Sequence, residues 1–211
     1  MTELTLKYGC NPNQTPARVY AKEGLPFTVL NGRPGYINLL DALNSWQLVR
    51  ELKEMSNLPA AASFKHVSPA GAALGLPLGE TLAHVCGAQG RTLSPVAAAY
   101  VRARGADRMS SYGDFAAVSD ICDESLAEFL RGEVSDGIIA PGYTEKALAI
   151  LKTKRKGSYL ILQMDENYTP PALEHKDVYG VTFEQQRNDI RITEDCLADI
   201  PTKQKNIPAE A

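Results

Sequence analysis

The chain has 211 residues, enough for one large domain with a substantial hydrophobic core. Its composition is 44% hydrophobic and 22% charged with a net charge of −3, which is ordinary for a soluble globular protein and argues against a nucleic-acid partner. The sequence contains neither a membrane-length apolar stretch nor a signal-peptide pattern. Scattered cysteines without a C-x-x-C pair indicate reduced, buried or half-buried thiols in a cytosolic protein, with no zinc site. They are Cys10, Cys86, Cys122 and Cys196.

Two short strands are predicted near the N-terminus. Leu4–Tyr8 alternates apolar and polar residues as a half-buried strand does, and the Gly, Asn and Pro residues after it are typical of a loop. On pattern alone, Lys7 is most simply a solvated lysine on an edge strand. A second strand is predicted over Phe27–Leu30, and the Asn31-Gly32 turn that follows ends it.

The clearest helix in the chain is predicted over Asn38–Met55. Its apolar residues recur on one face, and its charged residues lie mostly off that face. Asn38 is a good N-cap, and Asp41 suits the first turn because a carboxylate is favourable near a helix N-terminus. We expect Trp46 in the core.

A run of small residues, Ala60–Phe64, predicts a buried strand that ends in Lys65 and His66 and is closed off by Ser68-Pro69. Side chains alternate along a strand, so this pair could reach one ligand only in a turn beyond the strand end, where open α/β sheets place their chemistry. A neutral imidazole is a competent base, and an ammonium stabilises an oxyanion. The alternative is a structural histidine satisfied by hydrogen bonds.

The rest of the chain alternates helices and strands, which predicts a three-layer α/β/α sandwich. The predicted helices are Glu80–Cys86, Val96–Arg104, Asp123–Arg131, Glu145–Thr153 and Glu194–Ile200. The predicted strands are Phe115–Val118, Val134–Gly142, Ser158–Gln163 and Val178–Phe183. Lys154-Arg155-Lys156 is interpreted as the solvated end of a helix, and Asp165–Lys176 as a surface connection.

Motifs of several enzyme classes are absent. The sequence has no G-x-S-x-G, no Walker loop, no G-x-G-x-x-G and no H-x-E with P-C-x-x-C, so it gives no support to a serine hydrolase, a nucleoside triphosphatase, a dinucleotide oxidoreductase or a zinc deaminase. His175 is expected to be solvated, and His84 is expected either at the surface or in a structural role. The residues alone therefore indicate an α/β protein with a candidate Lys-His site.

Collinear stretches from about Leu4 to the end of the chain resemble the AICAR transformylase family, the folate-dependent formyltransferases of purine biosynthesis. The stretches are Lys7–Pro12, Val29–Gly32 with Asn38, Ala61–Gly71, Ala103–Ser111 and Glu133–Gly142. The resemblance implies formyl transfer from 10-formyltetrahydrofolate, as co-substrate, to the 5-amino group of AICAR, giving FAICAR on the route to IMP.

The resemblance also implies roles for particular residues. His66 matches the family's proton acceptor, and Lys65 matches its transition-state-stabilising lysine. Met109 matches a position near the folate. The positions that match nucleotide-binding residues are Lys7, Tyr8, His66, Gly113 and Asp136. No metal ligand is implied.

This chain departs from the family pattern at Lys7, where many family members have arginine. A phosphate contact here would therefore come from a point charge and not from the bidentate fork of a guanidinium. The Gly87–Gly90 turn also looks shorter than in many relatives.

The resemblance implies a cytidine-deaminase-like fold in which residues 1–211 form the first, N-terminal half of a transformylase domain. We expect a stand-alone form without an IMP cyclohydrolase domain, and the second half, which would carry further folate and cation contacts, is absent from this chain. A cytoplasmic homodimer with active sites between subunits is also implied. The chain alone should have little or no transformylase activity. The alternative is a truncated or degenerate paralogue that binds a purine nucleotide without catalysis.

Overall fold

The computed structural model of the protein describes residues 2–191 and 193–206. The chain divides into two units, residues 1–167 and 168–211. The strands of the first unit are β1 (Thr2–Leu6), β2 (Ala17–Ala21), β3 (Phe27–Asn31), β4 (Ala60–Lys65), β5 (Ser68–Leu74), β6 (Asp114–Val118), β7 (Ser135–Ala140) and β8 (Leu160–Met164). Its helices are α1 (Tyr36–Ser56), α2 (Glu80–Val85), α3 (Pro95–Ala106), α4 (Glu124–Gly132) and α5 (Glu145–Thr153). A 3-10 turn, Lys154–Gly157, follows α5.

A six-stranded mixed sheet with the order β3-β8-β7-β6-β4-β5 forms the centre of the first unit. Strands β6, β7 and β8 are mutually parallel, whereas β3 and β4 run antiparallel to their neighbours β8 and β6. The carboxyl ends of β3 and β4 therefore lie beside the amino ends of β6, β7 and β8. We call this edge of the sheet the amino edge, and the opposite edge the carboxyl edge.

Helices cover both faces of the sheet, so the predicted three-layer α/β/α sandwich is confirmed. Helix α1 packs on β4, β5, β6 and β7, while α3, α4 and α5 pack together on the other face. Alternate strand residues serve the two layers, and Ala61, Ala116 and Ile138 belong to the core under α3 to α5. The alanines of β4 are fully buried and leave room for helix backbones to approach.

Helix α1 begins two residues earlier than predicted. Gly35 is the N-cap, and Asn38 is the third helical residue, whose Oδ1 accepts a hydrogen bond from the Gly35 N–H at 3.1 Å. The prediction of Asn38 as N-cap was therefore wrong. Asp41 lies beyond the first turn and is buried, not displayed at the helix end. Trp46 is buried in the core, as predicted.

The other helix boundaries agree closely with the sequence patterns, because local capping chemistry defines them. Ser94 accepts from the Ala97 N–H and precedes a proline at the first position of α3. Asp123 and Thr144 cap α4 and α5 in the same way. Three helices therefore begin where a short polar side chain can satisfy a free backbone N–H.

Strands β2 and β5 were missed. Strand β2 pairs with β1 in a separate two-stranded sheet. Strand β5 follows β4 after a tight turn, so Ser68-Pro69 begins a new strand and does not simply end the old one. Few residues of β5 have strand propensity, but its glycine allows close packing, since a Cβ at Gly71 would lie 2.1 Å from the Ala103 carbonyl oxygen of α3.

The second unit contains an antiparallel hairpin of β9 (Leu173–Val178) and β10 (Val181–Gln186). Strand β9 overlaps only the end of the predicted surface connection, Asp165–Lys176. Strand β10 overlaps the second half of the predicted strand, Val178–Phe183. A 3-10 turn, Glu194–Leu197, lies where a longer helix was predicted. Among the residues that the structure describes, no helix has the length and apolarity needed to cross a membrane.

Candidate active site

Lys65 and His66 lie at a two-residue hairpin turn on the amino edge. Lys65 is the last residue of β4 and pairs with Ser68, so His66 and Val67 form the turn. Both turn residues have left-handed backbone conformations, with φ of 56° and 62°. Such turns favour Asn-Gly, and a β-branched valine rarely adopts this conformation. The predicted turn is therefore present, but the edge is the one where the parallel strands begin, not where they end.

Lys65 contacts the loop that leads into β6. Its amine donates a hydrogen bond to the backbone carbonyl of Tyr112. The next residue, Gly113, has a φ of 79°, and a Cβ added there would lie 3.9 Å from Lys65 Nζ. The Gly113 N–H donates to the Val134 carbonyl at 2.9 Å, which joins this loop to the start of β7. Lys65 and Gly113, both predicted site residues, are thus neighbours.

Asp136 lies near the amino end of β7 and forms an ion pair with Arg155, with Oδ1 and Nη1 2.6 Å apart. Both side chains are about half exposed, so a ligand can compete for them. The interpretation of residues 154–156 as a solvated helix end was wrong for Lys154, which is buried. Its Nζ lies 5.3 Å from the centre of the Tyr159 ring. Burial lowers the pKa of the Lys154 amine, whose hydrogen bond goes to the Glu133 carbonyl.

Asp41 of α1 reaches the same turn and was missed as a site residue. Its Oδ1 accepts a hydrogen bond from the Val67 N–H at 2.7 Å. Burial raises the pKa of the Asp41 carboxyl, the Val67 bond and the charge of His66 oppose that rise, and the charge of Asp136 adds to it. These interactions place Asp41 within electrostatic reach of two predicted site residues. The signal available in the sequence was an acid on the apolar face of α1.

A buried polar network supports the loop that carries Gly113. Asp114 is fully buried, and its Oδ2 accepts hydrogen bonds from Ser63 Oγ at 2.7 Å and Tyr100 OH at 2.8 Å. Its Oδ1 lies 2.9 Å from Nη1 of Arg104, which also donates to the Ser111 carbonyl at 2.6 Å. Burial raises the pKa of Asp114, and the Arg104 charge opposes this. The network fixes the backbone directly behind Lys65.

Lys7 and Tyr8 line a separate groove of about 520 Å³ on the amino edge. The groove is also lined by Arg33, Gly35 and Asn38, at the start of α1. Lys7 Nζ lies 5.8 Å from the centre of the Tyr8 ring. Two cations beside a helix N-terminus favour an anionic ligand.

Met109 lies in the same loop as Gly113 and is 89% exposed. The structure therefore brings Lys65, His66, Gly113 and Asp136 to one part of the amino edge. It places the Lys7–Tyr8 groove on that edge and leaves Met109 at the surface. Within residues 2–191 and 193–206, no three His, Cys, Asp or Glu side chains form a group that could hold a metal ion.

The remaining histidines and cysteines lie elsewhere. His84 and His175 are exposed, as predicted, and contact Gln89 and Glu184. Cys86 and Cys122 are buried free thiols, whereas Cys10 and Cys196 are exposed, contrary to the prediction that all four are at least half-buried.

A second groove, of about 430 Å³, lies on the carboxyl edge. Most of its lining residues are apolar, including Leu30, Ile121, Pro141 and Tyr143, and its polar lining residues are Gln163 and Glu166. The Tyr143 hydroxyl donates to the Leu162 carbonyl at 2.6 Å. This groove has no cationic side chain among its lining residues.

Comparison with known proteins gives one family and related enzymes. The family model described as AICARFT/IMPCHase bienzyme matches residues 1–211. The bifunctional purine biosynthesis protein PurH of Shouchella clausii is 29% identical over 209 residues, which cover 95% of this chain and 36% of that protein. PurH of Bacillus cereus is 28% identical over 206 residues, with the same coverage. The chain thus spans about a third of the length of the curated relatives it matches.

Proposed function

Because the chain belongs to the AICARFT/IMPCHase bienzyme family, we propose that it acts in purine biosynthesis as part of an AICAR transformylase. The names of its relatives support the pathway, since both are purine biosynthesis proteins. In the proposed reaction, the formyl carbon of 10-formyltetrahydrofolate forms a bond to the 5-amino nitrogen of AICAR. The bond from that carbon to N10 of the folate breaks, and the proton lost by the amine balances the one gained by N10.

The observation that carries the proposal is the proximity of Lys65, His66, Gly113 and Asp136 on the amino edge. AICAR's amine is a weak nucleophile because its lone pair is delocalised into the imidazole, so a base and a cation are the expected aids. His66 accepts the amine proton as the bond forms. Lys65 stabilises the negative charge on the formyl oxygen in the tetrahedral intermediate. The exposed His66 ring and the half-buried Lys65 leave both groups accessible to a substrate.

The nucleotide and the folate are proposed to occupy neighbouring parts of the same edge. Lys7 and Tyr8 hold the phosphate in their groove, where the α1 N-terminus favours an anion. Asp136 accepts hydrogen bonds from hydroxyl groups of the nucleotide, and the Gly113 position allows the ligand to approach the backbone. Met109 offers a flexible apolar contact to the folate.

We further propose that residues 1–211 correspond to the first half of a transformylase domain that works as a cytoplasmic homodimer. The coverage of 36% of each relative supports a partial match to a longer enzyme. Under this proposal, the chain alone binds AICAR but turns it over slowly or not at all. Nucleotide binding without catalysis would also be the behaviour of a degenerate paralogue.

The test is a titration of the ¹⁵N-labelled chain with AICAR, in which NMR monitors the amide resonances. We expect the amide resonances of Lys65, His66, Gly113 and Asp136 to shift. Lys7→Met should weaken binding about tenfold or more, because the charge-assisted contact proposed for the phosphate is lost. The matched control is Lys146→Met, which removes an exposed lysine from the first turn of α5, the helix that follows the carboxyl end of β7, and should leave the affinity unchanged. Absence of binding at millimolar AICAR would overturn the proposal.

Turnover is measured separately with AICAR and 10-formyltetrahydrofolate. Rapid formyl transfer by the chain alone, abolished by His66→Ala, would contradict the expectation that it is inactive by itself. It would also support the catalytic role of His66.

A further inference from the structure

Asp41 has no part in the proposed chemistry, yet its carboxylate lies directly behind the Lys65–His66 turn. The residue is 6% exposed. Its Oδ1 is 2.7 Å from the backbone nitrogen of Val67, a residue 26 positions away in the sequence. A buried carboxylate costs free energy unless it is hydrogen-bonded, and here its partner is the backbone of the turn that carries His66.

The turn needs an external tether. His66 and Val67 both adopt left-handed backbone conformations, although neither is a glycine or an asparagine. The conformation is the less favourable of the two at Val67, because its side chain is β-branched. A strained backbone persists only where the surroundings fix it. The Asp41 bond fixes the turn on one side of His66, and the bond from Lys65 to the Tyr112 carbonyl fixes it on the other.

The element that supplies Asp41 is rigid. Helix α1 spans 21 residues and is anchored in the core by Leu39, Trp46 and Val49, all buried. A carboxylate held on this helix therefore ties the turn to the main core and not to another loop. This is the arrangement expected of a group that positions an active-site side chain.

We propose that Asp41 is a positioning residue that holds the Val67 amide and thereby sets the direction in which His66 faces the substrate. The part of this inference that concerns the substrate rests on the proposed function, whereas the part that concerns the turn does not. The bond needs only a hydrogen-bond acceptor at this position. An asparagine side chain can supply the same oxygen without the charge.

The first test measures native-state hydrogen exchange in the full chain. Asp41→Ala should speed the exchange of the Val67 amide about tenfold or more, while core amides such as Val118 and Ile138 keep their rates. Asp41→Asn should keep the Val67 rate within about threefold of the unmodified protein. The control is Glu51→Ala, which removes an exposed acid from the same helix. Val67 protection that survives Asp41→Ala, or equal loss in the Ala and Asn variants, would overturn the proposal.

The second test follows the His66 ring resonances during titration with AICAR. Asp41→Ala should abolish the shift of the His66 ring while the amides of the Lys7–Tyr8 groove still respond, and Asp41→Asn should restore the His66 response. A merely structural role would weaken all responses together and would overturn the proposal. If the unmodified chain binds no AICAR, the proposed function fails, and the exchange experiment still decides whether Asp41 fixes the turn.

A third variant covers the case in which Asp41→Ala does not fold. In Asp41→Ala/Val67→Gly, glycine adopts the left-handed conformation without strain. The double variant should recover a folded protein without recovering the His66 response, because the tether to α1 is still absent. A folded double variant that regains the full His66 response would contradict the positioning role.

Discussion

The two edges of the central sheet differ in charge and in backbone strain. At the amino edge, Lys65, His66 and the pair Asp136–Arg155 are partly exposed. Four of the six non-glycine residues with positive φ in the described part of the chain lie there, namely His66, Val67, Arg155 and Lys156. The groove at the carboxyl edge is lined mostly by apolar side chains and contains none of these groups. Unfavourable backbone conformations are thus concentrated on one edge.

The difference shows how strand direction locates a site. Open α/β sheets usually bind ligands beyond the carboxyl ends of their parallel strands. Here β3 and β4 are antiparallel to the strands beside them, so their carboxyl ends meet the amino ends of β6, β7 and β8. The side chains that follow β3 and β4 therefore gather on the opposite edge, where the backbone strain also lies.

The largest predicted effect concerns the network behind the amino edge. Asp114→Ala should destabilise the fold by about 3–5 kcal/mol, because Arg104 is left buried without its nearest carboxylate. Urea denaturation measures the change in the free energy of unfolding. The control is Glu128→Ala, which removes a surface ion pair with Arg131 and should cost less than about 1 kcal/mol. Equal losses of stability in the two variants would contradict the prediction that the buried network of Asp114 and Arg104 stabilises the amino edge more than a surface ion pair does.

A smaller effect is expected at the carboxyl edge. Tyr143→Phe removes the hydroxyl bond to the Leu162 carbonyl and should cost about 1 kcal/mol. The AICAR affinity should not change, because this residue lies at the opposite edge from the proposed site. A loss of affinity in a folded Tyr143→Phe protein would break the distinction between the two edges.

The pH dependence of stability sharpens the comparison further. Burial raises the pKa of Asp41, so the native state binds its proton more tightly than the unfolded state does. The free energy of unfolding should therefore fall as the pH rises from the unfolded value of 3.8 through the raised pKa. Asp41→Asn, which stays neutral, should be more stable than the unmodified protein at pH 7 and lose this advantage near pH 4.

Asp107 provides a control of opposite sign. Hydrogen bonds from Ser110 lower the pKa of its exposed carboxyl, so its stabilisation is present above the unfolded pKa and is lost as the pH falls. Asp107→Asn should accordingly be less stable than the unmodified protein at pH 7. Urea denaturation at both pH values measures both variants, and the same sign for both would contradict the assignment of Asp41 as a buried acid.

The smallest effect is expected from Ile121→Gln in the carboxyl-edge groove. Ile121 is 58% exposed, and surface substitutions usually change stability by less than about 0.5 kcal/mol. Neither the midpoint of urea denaturation nor the AICAR affinity should move beyond that range. A large loss of affinity would indicate that this groove also takes part in binding.

The fold could be predicted wherever local chemistry defines an element. Ser94 and Thr144 begin helices by their own hydrogen bonds, and the small-residue run of β4 indicates a buried strand. Strand β5 was missed because its residues have little strand propensity. It forms because a glycine lets α3 pack closely against it, a tertiary contact that no local pattern contains.

Part of the candidate site could be proposed from the sequence. The residue types and their place after β4 drew attention to Lys65 and His66, and the family resemblance added Gly113 and Asp136. Asp41 and Arg155 were missed because their contacts, to Val67 and Asp136, join segments that are distant in the sequence. A carboxylate in a helix is ordinarily a solvated or capping residue, and only the folded chain distinguishes it from a buried one.

Trp46, the only tryptophan in the chain, gives the protein a built-in optical probe. It is 5% exposed and lies on α1 little more than one turn beyond Asp41. An indole in such surroundings should emit at short wavelength and resist quenching by acrylamide. Its fluorescence therefore reports whether α1 is seated on the sheet, independently of any ligand. Variants at Asp41 that disturb only the hairpin turn should leave this emission unchanged, whereas variants that loosen the helix should shift it to the red.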